Sequence, residues 1–540
     1  MKRLLGALCL GLLTISCAQA QQKVKRILLI PVDSRPAVTQ FPEMIGDLAG
    51  VEVVTPPSHL LGEFLQPGNP SGILNWLKST GIEQYDAVVA SADMIAYGGL
   101  IASRVDRSSY NLAMIRLRDF WKIRKTDHHV PFYVFTAQMR IAPTATDESV
   151  AYRRDLYYWA VTDAKYRLNG DPTTKYSRDQ YAKSLPEGVL DRYVQTRQRN
   201  VEIQLELLKM TYHGAFTHLT IGQDDTAPIG PHSFEGKTLA DRAAELKISD
   251  RVQFCSGIDQ IANLLVSRSI LNAYNFSPDI DLRYADTDGA NKVAAYESKT
   301  IGESLYDQIT TSGGNVKHAP ELSDYTIFVN TPDSSPRAYD DFIQDLQAKA
   351  DSGAPIAVAD VDLGWTGTAT SELYLAITTE KRAPKLLSYA GWNTAGNSMG
   401  TTIPAANLYF LGRQAKLPTL HREVALRKFL LHRLVNDYYY HRHVRPEAYE
   451  LIEKLNNGKR DEVYGDALMQ ATALVRKDMR KYLDDVFDNQ FLGRAFEADG
   501  KTYRITSLEN VEISLPWPRA FEVYINFDLT AKEVEGRANQ

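Results

Sequence analysis

Short apolar runs recur along this chain, and most of them end in a polar or charged residue. The runs ILLIPVD, AVVASAD, FYVFT and HLTIGQDD alternate with stretches in which apolar residues recur every three to four positions. Continuous apolar runs of this length indicate buried parallel strands, and the stretches between them indicate helices. The pattern therefore predicts an α/β protein with a mostly parallel sheet.

Two architectures fit this alternation. One is a (β/α)-barrel with inserts, and the other is a pair of doubly wound domains divided near residue 250. Polar residues at the ends of nearly every predicted strand favour the barrel, because an open sheet places its ligand mainly at one switch point. The expected fold is a barrel-like α/β domain, with the two-domain arrangement as the alternative.

The periodicity changes twice along the chain. Strand signals are absent between about 144 and 214, so a helical insertion is expected within an α/β domain that spans 24–415. Amphipathic helices dominate the first part of 416–540, and the strand-like segments YRITSLENVEISLPWP and AFEVYINFDL follow. We therefore predict a helical C-terminal region that ends in a β-hairpin.

The N-terminus has the layout of a secretory signal peptide. Lys2 and Arg3 precede an apolar stretch, and the small-residue pattern AQA then predicts cleavage that removes residues 1–20. The alternative is a lipoprotein signal in which Cys17 carries the lipid. Both predict an exported protein that is periplasmic or associated with the cell envelope. Contact with the membrane is expected only in the lipoprotein alternative, through the lipid at Cys17.

Composition narrows the classes of function. The 540 residues include 61 Lys and Arg against 66 Asp and Glu, a formal net charge of −5. This balance lacks the basic surface that nucleic acid requires, so nucleic acid is not an expected partner. No dinucleotide fingerprint or phosphate loop occurs, so no cofactor is expected. The oligomeric state and a metal requirement stay open.

The pair Asp224 and Asp225 is the sharpest candidate for chemistry. Both carboxylates follow the apolar run HLTIGQ, where burial without partners is costly. Their mutual repulsion raises the pKa of one of them, and a neutral acid beside an anion is what general acid catalysis on a glycosidic bond requires. The alternative is a structural pair, one a helix cap and the other an ion-pair partner.

Further candidates share a position at the end of a predicted strand. Strand ends of a parallel sheet meet at one edge, so these side chains are expected to bind the substrate around one rim. Arginine binds carboxylate or phosphate in a bidentate manner, and tryptophan stacks on sugar rings. The alternative for each is a role in a turn. The predicted substrate-binding residues are Asp33, Arg35, Asp93, Arg140, Asp286, Asp360, Asp362, Trp392 and Asn393.

These residues favour a hydrolase acting on a carbohydrate, with Asp224 and Asp225 as the catalytic pair. A serine esterase or deacetylase is the first alternative, because Gly396 to Gly400 fits the nucleophile string G-x-S-x-G around Ser398. His421 or His432 would then serve as its base. The surrounding residues 391–398 are expected to form a polar loop. A non-catalytic glycan-binding protein of the envelope is the second alternative.

Four separated strings carry a resemblance to a known family. PVDSRP (31–36), AYGGLIASR (96–104), QDDTAP (223–228) and GWNTAGNSMG (391–400) resemble the bacterial domain-of-unknown-function 4127 family. The similarity runs from about residue 26 to the end and implies a shared architecture. The resemblance does not imply a known reaction, so no catalytic assignment follows from it. The tandem Asp pair alone is similar to substrate-assisted N-acetylhexosaminidases, in which one Asp orients an acetamido group.

Overall fold

The computed structural model describes residues 24–534. The predicted signal peptide at 1–20, including Cys17, lies outside the described residues. Within the described range the chain forms two parallel sheets and one small antiparallel sheet, with helices around and between them.

Six strands form the first sheet, in the spatial order β2-β1-β3-β4-β5-β6, and every pair is parallel. The order reverses at β1, which creates a switch point between β1 and β3. The strands are β1 (Arg26–Ile30), β2 (Glu52–Val54), β3 (Ala87–Ser91), β4 (Phe132–Gln138), β5 (His218–Gln223) and β6 (Val252–Ser256).

Five strands form the second sheet, in the order β11-β10-β9-β7-β8, again all parallel. Three antiparallel strands, β12 to β14, follow at the C-terminal end. The strands are β7 (Asp279–Tyr284), β8 (Asn315–Val316), β9 (Tyr325–Asn330), β10 (Ile356–Asp360), β11 (Ser388–Ala390), β12 (Ala495–Ala498), β13 (Lys501–Ser514) and β14 (Tyr524–Glu533).

The α/β class with a mostly parallel sheet is confirmed, but the structure does not form the expected barrel. The strands divide into two open sheets between β6 and β7, and no described strand pairs across that division. The observed split therefore follows the alternative arrangement. A single open sheet places its ligand mainly at one switch point, which is why polar residues at many strand ends favoured a barrel. Two open sheets have two switch points, so they also account for polar residues at many strand ends.

Seventeen α-helices connect or flank the described strands. They are α1 (Gln40–Asp47), α2 (Pro70–Thr80), α3 (Ala92–Tyr97), α4 (Leu100–Ser103), α5 (Tyr110–Arg124), α6 (Arg153–Asn169), α7 (Pro172–Ser184), α8 (Val189–Tyr212), α9 (Pro231–Glu245), α10 (Ile261–Ala273), α11 (Ile301–Ser312), α12 (Pro336–Asp351), α13 (Ser371–Thr378), α14 (Ala395–Gln414), α15 (Thr419–Arg433), α16 (Arg445–Leu455) and α17 (Gly465–Val486). Two π-helical segments, Leu434–Val444 and Phe487–Phe491, extend α15 and α17.

The two sheets share a layer of helices. Helix α10 packs on β3 and β4 of the first sheet, and its neighbour α14 packs on β10 and β11 of the second. Both helices are almost entirely buried, so neither has a solvent-facing polar stripe. Strands β3, β4 and β10 are accordingly buried throughout and thus on both faces.

Helix α14 corrects the expectation of a polar loop over 391–398. The chain leaves β11 through only Gly391 to Thr394, and the helix begins at Ala395. The Thr394 side chain accepts a hydrogen bond from the Asn397 N–H and caps the helix. Glycine, serine and threonine dominate its first turns, so the sequence resembles a loop, although tertiary packing makes it helical.

The predicted helical insertion and C-terminal region contain helices in the structure. Helices α6, α7 and α8 occupy most of the insertion, and α15 to α17 precede the three-stranded sheet. The sheet adds β12 to the β13–β14 hairpin expected from the sequence. Among the residues described, no helix combines the length and apolar character needed to cross a bilayer.

Candidate functional site

A cavity of about 350 Å³ lies at the carboxyl ends of strands from both parallel sheets. Its volume falls within the range of about 300–1,000 Å³ that is typical of small-molecule sites. The helical insertion and the C-terminal region complete its walls. The lining residues with charged or aromatic side chains are Arg35, Arg104, Arg140, Arg153, Asp224, Asp225, Asp259, Tyr296, Trp365, Arg445, Tyr449, Arg460, Asp461, Trp517, Arg519 and Phe521.

Arg35 is fixed between two carboxylates after the first strand. Its guanidinium donates to Asp33, with Nη2 2.7 Å from Oδ2, and to Asp259, with Nη2 2.7 Å from Oδ1. The ring of Trp517 lies 5.3 Å from the guanidinium carbon, and its Nε1 donates to Ser34. Asp33 therefore supports Arg35 but does not itself line the cavity. The cluster of Arg35, Asp33, Asp259 and Trp517 links the segments after β1 and β6 to the C-terminal region.

Arg104 reaches the cavity because of the turn Gly98-Gly99. Gly98 ends α3 in the left-handed region, and Gly99 has φ +129° and ψ 178°, a conformation essentially restricted to glycine. A Cβ on Gly99 would lie 3.0 Å from the Val32 carbonyl oxygen. The glycine pair therefore lets α4 approach the segment that follows β1, and Arg104 follows at the end of α4.

Asp224 is a buried anion held by arginine. Its Oδ2 lies 2.5 Å from Arg104 Nη2, and its Oδ1 accepts the Asp225 N–H at 2.9 Å. Burial alone would raise the pKa of Asp224, but the charges of Arg104 and Arg140 outweigh it and hold the pKa below its ordinary value. Asp224 is therefore ionised, and each of its two carboxylate oxygens already accepts a hydrogen bond.

Asp225 differs from its neighbour in exposure and in charge state. Its side chain keeps 32% of its surface exposed and lies 2.5 Å, Oδ2 to Nη2, from Arg140. Burial raises the pKa of Asp225, the negative charge of Asp224 adds to the increase, and Arg140 opposes it. Adjacent carboxyl groups with opposite pKa shifts are the arrangement expected for distinct catalytic roles.

An aromatic corner forms part of the rim. Trp365 is 73% exposed, and its ring meets Tyr296 edge-on with the ring centroids 5.0 Å apart. The Tyr296 hydroxyl donates to the Trp365 carbonyl at 3.1 Å. Asn393, at φ +58°, also lines the cavity, and its amide donates to Asn397 Oδ1 at 2.6 Å. The arrangement presents one free aromatic face beside amide and carboxyl groups.

The C-terminal region contributes the remaining charges. Arg445 donates to the Thr366 carbonyl at 2.8 Å, which ties α16 to the loop that carries Trp365. Arg519 lies against Trp517 and pairs with Glu522. Asp461 also lines the cavity and forms no ion pair with any residue in the described range.

The structure brings several predicted site residues together and places others elsewhere. Arg35, Arg140, Asp224, Asp225 and Asn393 line the cavity, and Asp33 stands directly behind it. The predicted residues that lie outside the cavity lining are Asp93, Asp286, Asp360, Asp362 and Trp392.

Local structure accounts for most of the residues outside the cavity. Asp93 is buried, accepts the Ala137 N–H at 2.7 Å, and has a pKa raised to about 7 by burial. Asp360 is buried and accepts the N–H and hydroxyl of Thr370. Asp286 accepts the Ser335 N–H before α12.

Asp362 and Trp392 are also engaged locally. The Asp362 N–H donates to Asp360 at 3.3 Å. Trp392 is buried against Phe41, with the ring centroids 5.4 Å apart, and its indole donates to Thr401. Its ring is therefore unavailable for stacking on a ligand.

Ser398 lies inside α14 and not at a strand-to-helix turn. It is fully buried, and its hydroxyl accepts the Trp392 N–H at 3.0 Å. His432 lies against Phe41 and Arg433, and His421 pairs with Asp47, so neither histidine is bonded to Ser398. The G-x-S-x-G string thus does not form a nucleophile elbow here.

Several cavity residues were not among the sequence candidates. Asp259 follows the recognised strand VQFCSG by only a few residues and could have been found by the same strand-end rule. Arg104 lies within the string AYGGLIASR, but its approach depends on the glycine turn. Trp365, Arg445 and the residues near 517 carry no local signal, because only tertiary packing brings them to the strand ends.

The side chains of the described residues do not indicate a metal site. Within residues 24–534, no three His, Cys, Asp or Glu side chains are grouped in a way that could hold a metal ion. The carboxylates of the cavity are instead interleaved with arginines.

Comparison with known proteins identifies a family. The family described as "Protein of unknown function (DUF4127)" matches residues 27–526, which is most of the chain. The protein therefore belongs to the DUF4127 family. No curated protein matches it.

Proposed function

We propose that this DUF4127 protein is an exported hydrolase that cleaves a glycosidic bond, with Asp225 as the general acid. The observation that carries the proposal is the pair of adjacent carboxyl groups in the cavity, one with a raised pKa and one with a lowered pKa. A raised pKa favours the protonated form, which can donate to a leaving oxygen, and such donation contributes about 10²- to 10⁴-fold to rates.

The proposed reaction is hydrolysis with water as the second reactant. Asp225 transfers its proton to the glycosidic oxygen as the bond to the anomeric carbon breaks. Water adds to that carbon, and its proton passes to a second carboxylate. Asp461 fits that role, because it lines the same cavity and has no ion-pair partner in the described range. The products are a free sugar and the alcohol of the leaving group.

Asp224 has a supporting role in this scheme. Its carboxylate is already bound by Arg104 and by the Asp225 N–H, so little of it is free to contact a substrate. Its charge favours the protonated form of Asp225 and so maintains the acid. It is a positioning residue, whereas Asp225 contacts the substrate.

The rim supports a sugar as the ligand. Tryptophan presents an apolar face to the C–H side of a pyranose ring, and Trp365 is 73% exposed beside Tyr296. Asn393 and Arg140 supply hydrogen bonds for hydroxyl groups nearby. Export is proposed from the leader-like N-terminus, which would bring the protein to the carbohydrates of the cell envelope.

Hydrolysis of a broad panel of chromogenic glycosides tests the proposal. Wild type is expected to release the chromophore from at least one glycoside, and Asp225→Asn is expected to lose at least about 100-fold in kcat/KM. Asp241→Asn is the matched control, since Asp241 lies on α9 in a surface pair with Lys237.

The outcomes separate two functions. Wild-type rates in Asp225→Asn would refute the acid role. Saturable sugar binding with no turnover of any glycoside would favour a glycan-binding protein, the second candidate, which the exposed ring of Trp365 supports equally.

A further inference from the structure

The candidate cavity carries an excess of positive charge. Of the described residues, seven arginines and four aspartates line it, an excess of three cations. Asp33, Glu522 and Glu453, which contact lining arginines without lining the cavity themselves, reduce this excess to zero. A protonated Asp225 would increase it again by one. A neutral sugar provides no counterion for such a surface.

Four of the arginines already have carboxylate partners. Arg35 pairs with Asp33 and Asp259, Arg104 with Asp224, Arg140 with Asp225 and Arg519 with Glu522; their nitrogen–oxygen distances are 2.5–2.9 Å. A fifth, Arg460, is half exposed to solvent and lies 3.7 Å from Glu453. These five guanidinium groups therefore either have a carboxyl group at hydrogen-bond distance or are exposed to solvent.

Arg153 and Arg445 are different. Arg153 donates its Nε to the Pro143 carbonyl at 2.8 Å, and neither of its terminal nitrogens has an acceptor in the described range. Arg445 donates one terminal nitrogen to the Thr366 carbonyl and has no carboxylate within 4.0 Å among the described residues. Arg445 is only 7% exposed. A buried cation without a direct counterion is costly, so Arg445 favours an anionic ligand. Arg153 is only partly buried, and its two unbonded terminal nitrogens are free to donate to the same ligand.

The environment of Arg153 adds to this argument. Burial lowers the pKa of Arg153, and the positive charge of Arg140 lowers it further. The charges of Asp225 and Asp461 oppose the decrease without reversing it. A bound anion would offset the remaining decrease. Arginine also presents a planar pair of donors that matches carboxylate and phosphate oxygens. Arg153 begins the helical insertion and Arg445 begins α16, so both additions to the α/β body supply this feature.

From this geometry we propose that Arg153 and Arg445 bind an oxyanion carried by the sugar, so that the substrate is an acidic carbohydrate. The oxyanion is a carboxylate, as in a hexuronic acid, or a phosphate, as in a sugar phosphate. The inference rests on the proposed function in one respect only, namely that the ligand of the cavity is a sugar.

Ligand binding without turnover tests the inference. Matched probes are a set of hexuronic acids, the corresponding hexose 6-phosphates, the parent neutral hexoses and inorganic phosphate, each titrated calorimetrically into the full protein. At least one acidic sugar is expected to bind at least about tenfold more tightly than its neutral parent, the value of one charge-assisted hydrogen bond. The hexuronic acids and the phosphates distinguish the two kinds of oxyanion.

Two variants locate the site. Arg153→Gln and Arg445→Gln are each expected to weaken acidic-sugar binding about tenfold or more, while Arg242→Gln is the control because Arg242 pairs with Glu245 on the surface of α9. Arg445→Lys retains one charge and covers the case in which Arg445→Gln does not fold. Equal affinity for acidic and neutral sugars, undiminished binding in both Gln variants, or no binding by any probe would overturn the inference.

The inference and the proposed function fail separately. Titration of Asp225→Asn measures binding when acid catalysis is removed. Selective binding of acidic sugars with no glycoside turnover by wild type would contradict the hydrolase and leave the oxyanion site standing. Turnover of neutral glycosides with no preference for acidic ones would do the reverse.

Discussion

At the scale of single residues, the site makes two adjacent and identical side chains chemically different. Asp224 is enclosed by Arg104 and the backbone, and its pKa is lowered; Asp225 faces the cavity, and its pKa is raised. The sequence predicted that mutual repulsion would separate the two pKa values, but not which residue would carry the proton. That assignment depends on Arg104, which comes from another strand end.

The pH dependence of activity follows from this assignment. An acid catalyst must be protonated, so kcat/KM is expected to decline as pH rises through the pKa of Asp225. Asp224→Asn removes a neighbouring negative charge and leaves Arg104 without its partner. Both changes favour the ionised form of Asp225 and lower its pKa. The alkaline limb should therefore move to lower pH by about one unit, as measured in a pH–rate profile.

The control for this profile is Asp241→Asn, in which the limb should stay in place. A shift of the limb to higher pH in Asp224→Asn, or no shift at all, would show that Asp224 does not influence the essential acid.

At the scale of secondary-structure elements, close packing between neighbouring elements brings the site residues together. The turn Gly98-Gly99 lets α4 approach Val32, just after β1, and α14 is buried between the sheets with Asn393 and Thr394 immediately before it. Strands were predictable because buried parallel strands form continuous apolar runs. Helix α14 was not, because a helix buried all round has no amphipathic period and its first turns are rich in loop-forming residues.

Substitution of Gly99 tests the close packing at the glycine turn. Gly99→Ala introduces a Cβ 3.0 Å from the Val32 carbonyl oxygen at a backbone conformation that costs about 1–3 kcal/mol for other residues. We expect a lower thermal unfolding midpoint and reduced activity, because Arg104 would shift. Gly50→Ala is the control: its φ of +65° also disfavours alanine, but no atom lies within 4 Å of its Cβ. Equal losses in the two variants would argue against the close packing at Gly99.

At the scale of the whole molecule, the cavity exists because three parts of the chain converge. The strand ends of the first sheet supply Asp224, Asp225 and Asp259, and those of the second supply Tyr296, Trp365 and Asn393. The helical insertion adds Arg153, and the C-terminal region adds Arg445 and Trp517. Local patterns predicted the α/β class, the insertion helices and the terminal hairpin. They could not predict how the sheets face each other, because that depends on contacts between residues far apart in the sequence, such as Gln260 after β6 with Asn397 after β11.

The most direct test of the central claim compares leaving groups in the Asp225→Asn variant. General acid catalysis matters most when the leaving oxygen is strongly basic and least when it departs readily as an anion. The ratio of wild-type to variant kcat/KM should therefore be at least about tenfold larger for an alkyl or sugar leaving group than for dinitrophenolate. A ratio that is the same for both leaving groups would contradict Asp225 as the acid.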